Sequence, residues 1–229
     1  MSEATQAQRI RLTFAKGEPV KYIAHLAVMR AWERIIRRAD LPIGYSQGFN
    51  PRPKLTFASA LPVGYMGQRE VLDLELHAWV APDEVLRRVR AELPPGFALH
   101  TAHEVPLKGP SLQSQVRYAV YRVSFAAHVP AVLLQQQIAR LLHTATLPRE
   151  RTVKGKVRAY DLRPLIHTLC YSASDGTHVT TMVLANRDSG TARVDEVVAE
   201  MGLLADMRAV HRTRLLFAED ALETKEDEL

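Results

Sequence analysis

The chain has 229 residues, 47% hydrophobic and 24% charged, which is the balance of a globular protein forming one large domain or two of about 100 residues. No apolar run approaches the roughly 18 residues of a membrane span, the first ten residues lack the apolar stretch of a secretory signal, and the single cysteine, Cys170, excludes a disulfide framework; a cytoplasmic protein is expected. The net charge of +5 hides an asymmetry: residues 219–229 hold six acids and one lysine, so residues 1–218 carry 29 bases against 19 acids, a surplus suited to a polyanion.

In chain order, "RIRLTFA" (9–15) alternates as a half-buried strand does, and "KGEP" breaks it. "HLAVMRAWERIIRRAD" reads as a helix with Val28, Trp32, Ile35, Ile36 and Ala39 on its apolar face. Arg30, Arg34, Arg37 and Arg38 fall at i, i+4, i+7 and i+8, which gathers four guanidiniums on one stripe. Glu33 stands four residues before Arg37, the spacing of a helical ion pair. "LPIGYS", "KLTFASA" and "EVLDLELHA" follow as strands, then "APDEVLRRVRAEL" as a helix with Pro82 in its first turn and Asp83 and Glu84 suiting the N-terminal dipole. "FALHTAHEV" is the closing strand of this half.

"PLKGPSLQS" has the proline, glycine and serine content of a linker. The order then restarts: strand "VRYAVYRVSF", helix "PAVLLQQQIARLLHTA", strands "RPLIHTLCYSA" and "HVTTMVLA", helix "RVDEVVAEMGLL" and strand "MRAVHRTRLLF". Each half has the order β-α-β-β-α-β, with one extra short strand or extended piece around the long loop of the first. The expected fold is therefore α+β: two tandem ferredoxin-like βαββαβ domains with antiparallel sheets, residues 1–106 and 116–218. Residues 107–115 link them, and residues 219–229 form an acidic tail expected to be disordered. Cys170 lies in the apolar run "LIHTLCY" and is expected to be a buried small hydrophobe.

No phosphate-binding glycine loop, His-Glu-x-x-His helix or cysteine cluster is present, so no metal and no cofactor is expected. Three basic groups remain. The helix stripe is one, and its bland reading is a solvated face. The second is the loop "GYSQGFNPRPK", in which Tyr45 and Phe49 stand beside Gln47, Asn50, Arg52 and Lys54. The third is "RERTVKGKVRAYDLR", with Arg149, Arg151, Lys154, Lys156, Arg158 and Arg163 around a turn at Gly155 and only Glu150 and Asp161 against them. Bases mixed with aromatics and amides suit single-stranded RNA, because rings stack on bases, guanidiniums take phosphates and amides read base edges. The loop alone would look similar if it docked a protein. His25 has two readings, a general base or phosphate contact and a residue bonded to the backbone at the helix start; the second is the expected one. Asp161 is expected to cap its turn or pair with Arg163 or Arg158.

The stretch "AHLAVMRAWERIIRRADLPIGYSQGFNPRPKLTFASALPVG" resembles the signature of the radical-SAM-linked family of unknown function, with His25, Arg30, Glu33, Arg34, Arg37, Arg38, Leu41, Pro42, the run Tyr45 to Pro51, Pro53 and Lys54 at matching positions. "RTVKGKVRAYDLRPLI" resembles the basic segment that members carry downstream. One departure is "YMGQRE", where members have a serine-bearing turn. The resemblance implies an accessory domain that works beside a separate radical SAM protein. With the basic groups it gives the expected function, an RNA-binding accessory protein that presents RNA to that partner. Two alternatives stand beside it: an RNA-cleaving or RNA-modifying enzyme using His25, and a module that docks the radical SAM protein without RNA.

Overall fold

The computed structural model describes residues 7–153, 155–174, 176–187 and 189–218 and divides into two compact units, Met1–Gln115 and Val116–Leu229. The acidic segment 219–229 lies outside the described residues. The protein is α+β, its sheets built from antiparallel neighbours within each unit.

In the first unit, strand β1 (Gln8–Lys16) alternates strictly between buried and half-buried positions. Helix α1 (His25–Arg38), strand β2 (Leu55–Phe57), strand β3 (Met66–Leu76), helix α2 (Pro82–Ala91) and strand β4 (Phe97–Val105) follow. The strands lie in the order β2-β3-β1-β4. Ile10, Leu12 and Phe14 of β1 and Leu72, Leu74 and Leu76 of β3 share a core with Val28, Trp32, Ile35 and Ile36 of α1 and Val85 and Val89 of α2. Trp32 is fully buried, and its ring meets Phe14 edge-on at 4.7 Å. All five apolar positions expected on the inner face, Val28, Trp32, Ile35, Ile36 and Ala39, are buried, since period 3.6 places them in one stripe. The helix ends where Asp40 takes φ +50°, a left-handed conformation that aspartate tolerates better than most residues. Arg37 and Arg38 in the last turn complement the C-terminal dipole.

Two strand expectations change here. "LPIGYS" forms only two isolated bridges, Ile43 with Leu76 and Tyr45 with Pro53, and "KLTFASA" contributes only Leu55–Phe57. Pro42, Pro51, Pro53 and Pro62 bracket this region, and a proline cannot donate to a ladder. Residues 107–115, expected as a linker, carry a single helical turn, α3 (Leu112–Gln115), with Leu112 fully buried.

The second unit comprises β5 (Val116–Phe125), α4 (Ala131–His143), β6 (Pro148–Val153), β7 (Lys156–Asp161), β8 (Ile166–Ser174), β9 (Thr177–Arg187), β10 (Gly190–Thr191), α5 (Val194–Glu200) and β11 (Met207–Phe217). Its sheet runs β8-β9-β5-β11, with β10 folded back on the end of β9. Strands β6 and β7 form a separate antiparallel hairpin. Leu134 and Leu141 of α4 and Val197 and Val198 of α5 are buried with Val123 and Met182 of the sheet. Cys170 is exposed, contrary to expectation: alternation along β8 buries Leu169 and turns the next residue outward.

Candidate nucleic-acid interface

The loop of residues 44–54 is held as a narrow stem with a free tip. Gly44 N donates to the carbonyl of Glu75 (2.7 Å), Lys54 N to the carbonyl of Gly44 (2.8 Å), and Ser46 N to the carbonyl of Arg52 (2.9 Å). Arg52 N donates in turn to Ser46 Oγ at 3.0 Å. Above this stem Gly48 adopts φ +126° in open space, so the glycine answers a backbone requirement and not a steric one. Phe49 is wholly solvent-exposed at 106% and Tyr45 is 45% exposed. Gln47, Asn50 and Arg52 are exposed, and no hydrogen bond among the described residues engages their side chains.

The stripe on α1 divides. Arg30, Arg34 and Arg37 are exposed with no ion pair among the described residues, and Glu33 does not take the expected pairing with Arg37. Arg38 is tied to Glu92, by Nε to a carboxylate oxygen at 3.1 Å and by a guanidinium nitrogen to the carbonyl at 3.0 Å. Lys54 Nζ meets Glu75 at 2.7 Å, and both side chains are open to solvent. His25 is half-buried, its ring edge-on to Phe57 at 5.4 Å.

The hairpin β6–β7 treats its bases differently. Arg149 pairs with Glu200 at 2.8 Å and donates to the carbonyl of Glu196 at 3.2 Å. Arg151 grips both carboxylate oxygens of Glu196 at 2.8 and 2.7 Å and lies over the Tyr160 ring, 4.9 Å from its centroid. Burial works against the charge on Glu196, but the bonds from Arg151 and Tyr160 outweigh it and hold the carboxyl below its ordinary range. Arg163 donates to the carbonyls of Ile166 (3.0 Å) and Leu142 (2.9 Å). Asp161 caps the backbone, accepting from Leu147 N at 2.7 Å and Arg163 N at 2.9 Å. Arg149, Arg151 and Arg163 therefore have structural employment that the sequence reading did not foresee. Lys156 and Arg158 are exposed without an ion pair among the described residues, and Lys154 lies outside them.

Four charged residues among those described are buried, Lys16, Glu70, Asp73 and Arg212, and none was expected from the sequence. Lys16, at the end of β1, is 2% exposed and its Nζ donates to the carbonyls of Lys21 (2.9 Å) and Ile23 (3.3 Å), fixing the turn that enters α1. Asp73 on β3 accepts from Arg9 Nε and Arg11 Nε, each at 2.8 Å. His103 lies directly across from Arg11 on β4, and burial together with the Arg11 charge lowers its pKa. Among the described residues, no three histidine, cysteine or acidic side chains are grouped so as to hold a metal ion. No helix among them is long and apolar enough to cross a membrane.

Residues 9–194 match the family described as "Uncharacterized protein conserved in bacteria (DUF2344)", and the chain belongs to it. No curated protein matches the chain. Among solved structures it is similar to a chain of a Cbf5-Nop10-Gar1 complex, at 13% identity and TM-score 0.49, covering 99% of this chain and 58% of that one. It is also similar to an unknown protein from Galdieria sulphuraria, at 10% identity and TM-score 0.27, covering 86% of this chain and 91% of that one. Likenesses this slight assign neither a fold nor a function.

Proposed function

We propose that the protein is a cytoplasmic RNA-binding accessory of the radical-SAM-linked type, which presents RNA to a separate radical SAM protein. Each unit is read as a ferredoxin-like βαββαβ domain, a reading supported by the equivalent strand orders β2-β3-β1-β4 and β8-β9-β5-β11. The carrying observation for RNA is the loop tip. Phe49 stands fully in water beside the unengaged side chains of Gln47, Asn50 and Arg52. An aromatic ring without packing contacts, held on a hydrogen-bonded stem, is costly to leave exposed and well suited to stacking on a base. In this reading Tyr45 and Phe49 stack, Gln47 and Asn50 bond base edges, and Arg30, Arg34, Arg37 and Arg52 take phosphates. Lys156 and Arg158 add phosphate contacts from the hairpin. Lys54 is held by an exposed ion pair, and Arg38 by an exposed ion pair together with a bond to the Glu92 carbonyl; such pairs are worth about 0–1 kcal/mol, so both can exchange a carboxylate for a phosphate.

The test is fluorescence anisotropy with a single-stranded RNA across a salt series. Affinity should fall steeply with salt, and Phe49→Ala should weaken binding by about 1–3 kcal/mol with little change in the salt slope. No binding to total cellular RNA, or binding indifferent to salt, would overturn the proposal.

A second reading concerns the partner surface. Tyr22 (73%), Leu26 (56%) and Val63 (54%) are exposed apolar side chains around the start of α1. Lys21 ties this turn to the neighbouring loop by accepting a hydrogen bond from Gly64 N at 2.9 Å on its carbonyl. Such a patch suits direct docking of the radical SAM protein. Recovery of that protein in a pull-down after nuclease treatment, and its loss in Tyr22→Ser/Leu26→Ser, is the expected result.

A further inference from the structure

The basic hairpin borders a cleft of about 540 Å³ within the second unit, a size typical of small-molecule sites. Its walls differ in kind. Tyr160, Pro164 and Leu165 contribute aromatic and aliphatic lining, while Arg151, Arg158 and Arg187 bring three guanidiniums, with Ser189 also on the lining. Gly190 keeps the apolar wall in place: a Cβ there would stand 2.8 Å from Leu165 Cδ2.

The charges are unevenly matched. Arg151 and Arg158 stand directly opposite one another on β6 and β7, so their side chains share one face of the hairpin. Like charges in that relation repel. Glu196 neutralises Arg151 through its two-oxygen grip and, with the ring of Tyr160 beneath, fixes that guanidinium as part of the wall. Arg158 and Arg187 are exposed, and neither has a side-chain partner among the described residues. Asp161, the acid on the lining, spends one carboxylate oxygen on the backbone of Leu147 and Arg163. The cleft therefore joins apolar side chains to two exposed guanidinium forks, without ion-pair partners among the described residues, whose geometry fits phosphate oxygens and which outnumber Asp161, the one carboxylate on the described lining.

We propose that this cleft is a binding site for a nucleoside monophosphate group, with the base against Tyr160 and Leu165 and the phosphate between Arg158 and Arg187. The group has two sources, a free mononucleotide or the phosphorylated end of an RNA. The site goes beyond RNA contact along a basic surface, and it stands even if the loop of residues 44–54 binds nothing.

The experiment is isothermal titration calorimetry of the full chain with AMP, GMP, CMP and UMP, and with the corresponding nucleosides. At least one nucleotide should bind at least tenfold more tightly than its nucleoside. Arg158→Ala/Arg187→Ala should lose at least tenfold of that affinity with an unchanged thermal midpoint, as expected for exposed side chains. Phe49→Ala should bind the nucleotide as the parent does, which separates this site from the loop. A five-nucleotide RNA carrying a 5′-phosphate that binds at least tenfold more tightly than its 5′-hydroxyl twin, with the difference erased by the double variant, assigns the site to RNA ends. Equal affinity of the twins, with nucleotide binding intact, assigns it to the free nucleotide. Binding of none of the four nucleotides, or equal binding by the double variant, overturns the proposal.

Discussion

The two basic segments of this protein carry similar charge and are built in opposite ways. On α1 and the loop that follows, Arg30, Arg34, Arg37 and Arg52 project into solvent with no acid set against them among the described residues. On the hairpin, Arg149 and Arg151 are fastened to Glu200 and Glu196 of α5, and Arg163 to backbone carbonyls. The first arrangement leaves charge available to a ligand. The second uses charge to hold a hairpin onto a helix. A count of bases treats them alike, and only the partner of each guanidinium separates a binding surface from a structural one.

Held charge is expected to matter most at a third place, Asp73 of β3, whose side chain is 2% exposed and pairs with Arg9 and Arg11 of β1. Asp73→Ala removes the counter-charge that Arg9 and Arg11 share side by side on β1, at side-chain exposures of 11% and 16%. A loss of about 3–5 kcal/mol is expected in chemical denaturation. Arg151→Ala should cost less, about 1–3 kcal/mol, because solvent reaches both its side chain and that of Glu196. If Arg151→Ala kept full stability but lost RNA affinity, the division between held and available bases would fail.

Alternation in β1 and the 3.6-residue period in α1 were readable in the sequence because each is a local pattern with one buried face. The partner of Arg151 was not, since Glu196 lies 45 residues further along and belongs to a different element. Period 2 within "RERTV" and "KVRAYD" does put Arg149, Arg151, Arg158 and Tyr160 on one face of a hairpin, but says nothing of the acids waiting there. Asp73 was hidden in the same manner, its arginines lying more than 60 residues away along the chain. Cys170 shows the converse error: an apolar neighbourhood in sequence is not a buried face when neighbours alternate. At the loop, composition named the candidate side chains, whereas the exposure of Phe49 and the stem beneath it came from folding.

A smaller effect concerns pH. His103 has a folded pKa below its unfolded value of 6.5, from burial and the Arg11 charge. The unfolded chain therefore takes up a proton first as pH falls. Its contribution is fully present above 6.5 and is lost as pH drops from there toward the lower folded value. Denaturation midpoints measured from pH 7.5 to 5 should decline in the parent and decline less in His103→Gln. The smallest expected effect is on stability in Arg30→Ala/Arg34→Ala/Arg37→Ala. Exposed positions without partners should change it by no more than about 0.5 kcal/mol each.

The same triple variant provides the most direct test of the central claim, that the exposed arginines of α1 are charge available to RNA. The measurement is the slope of log affinity against log salt for a single-stranded RNA. The account predicts a slope shallower by about 2 than that of the parent, from three lost phosphate contacts at about 0.7 each. An unchanged slope would contradict it.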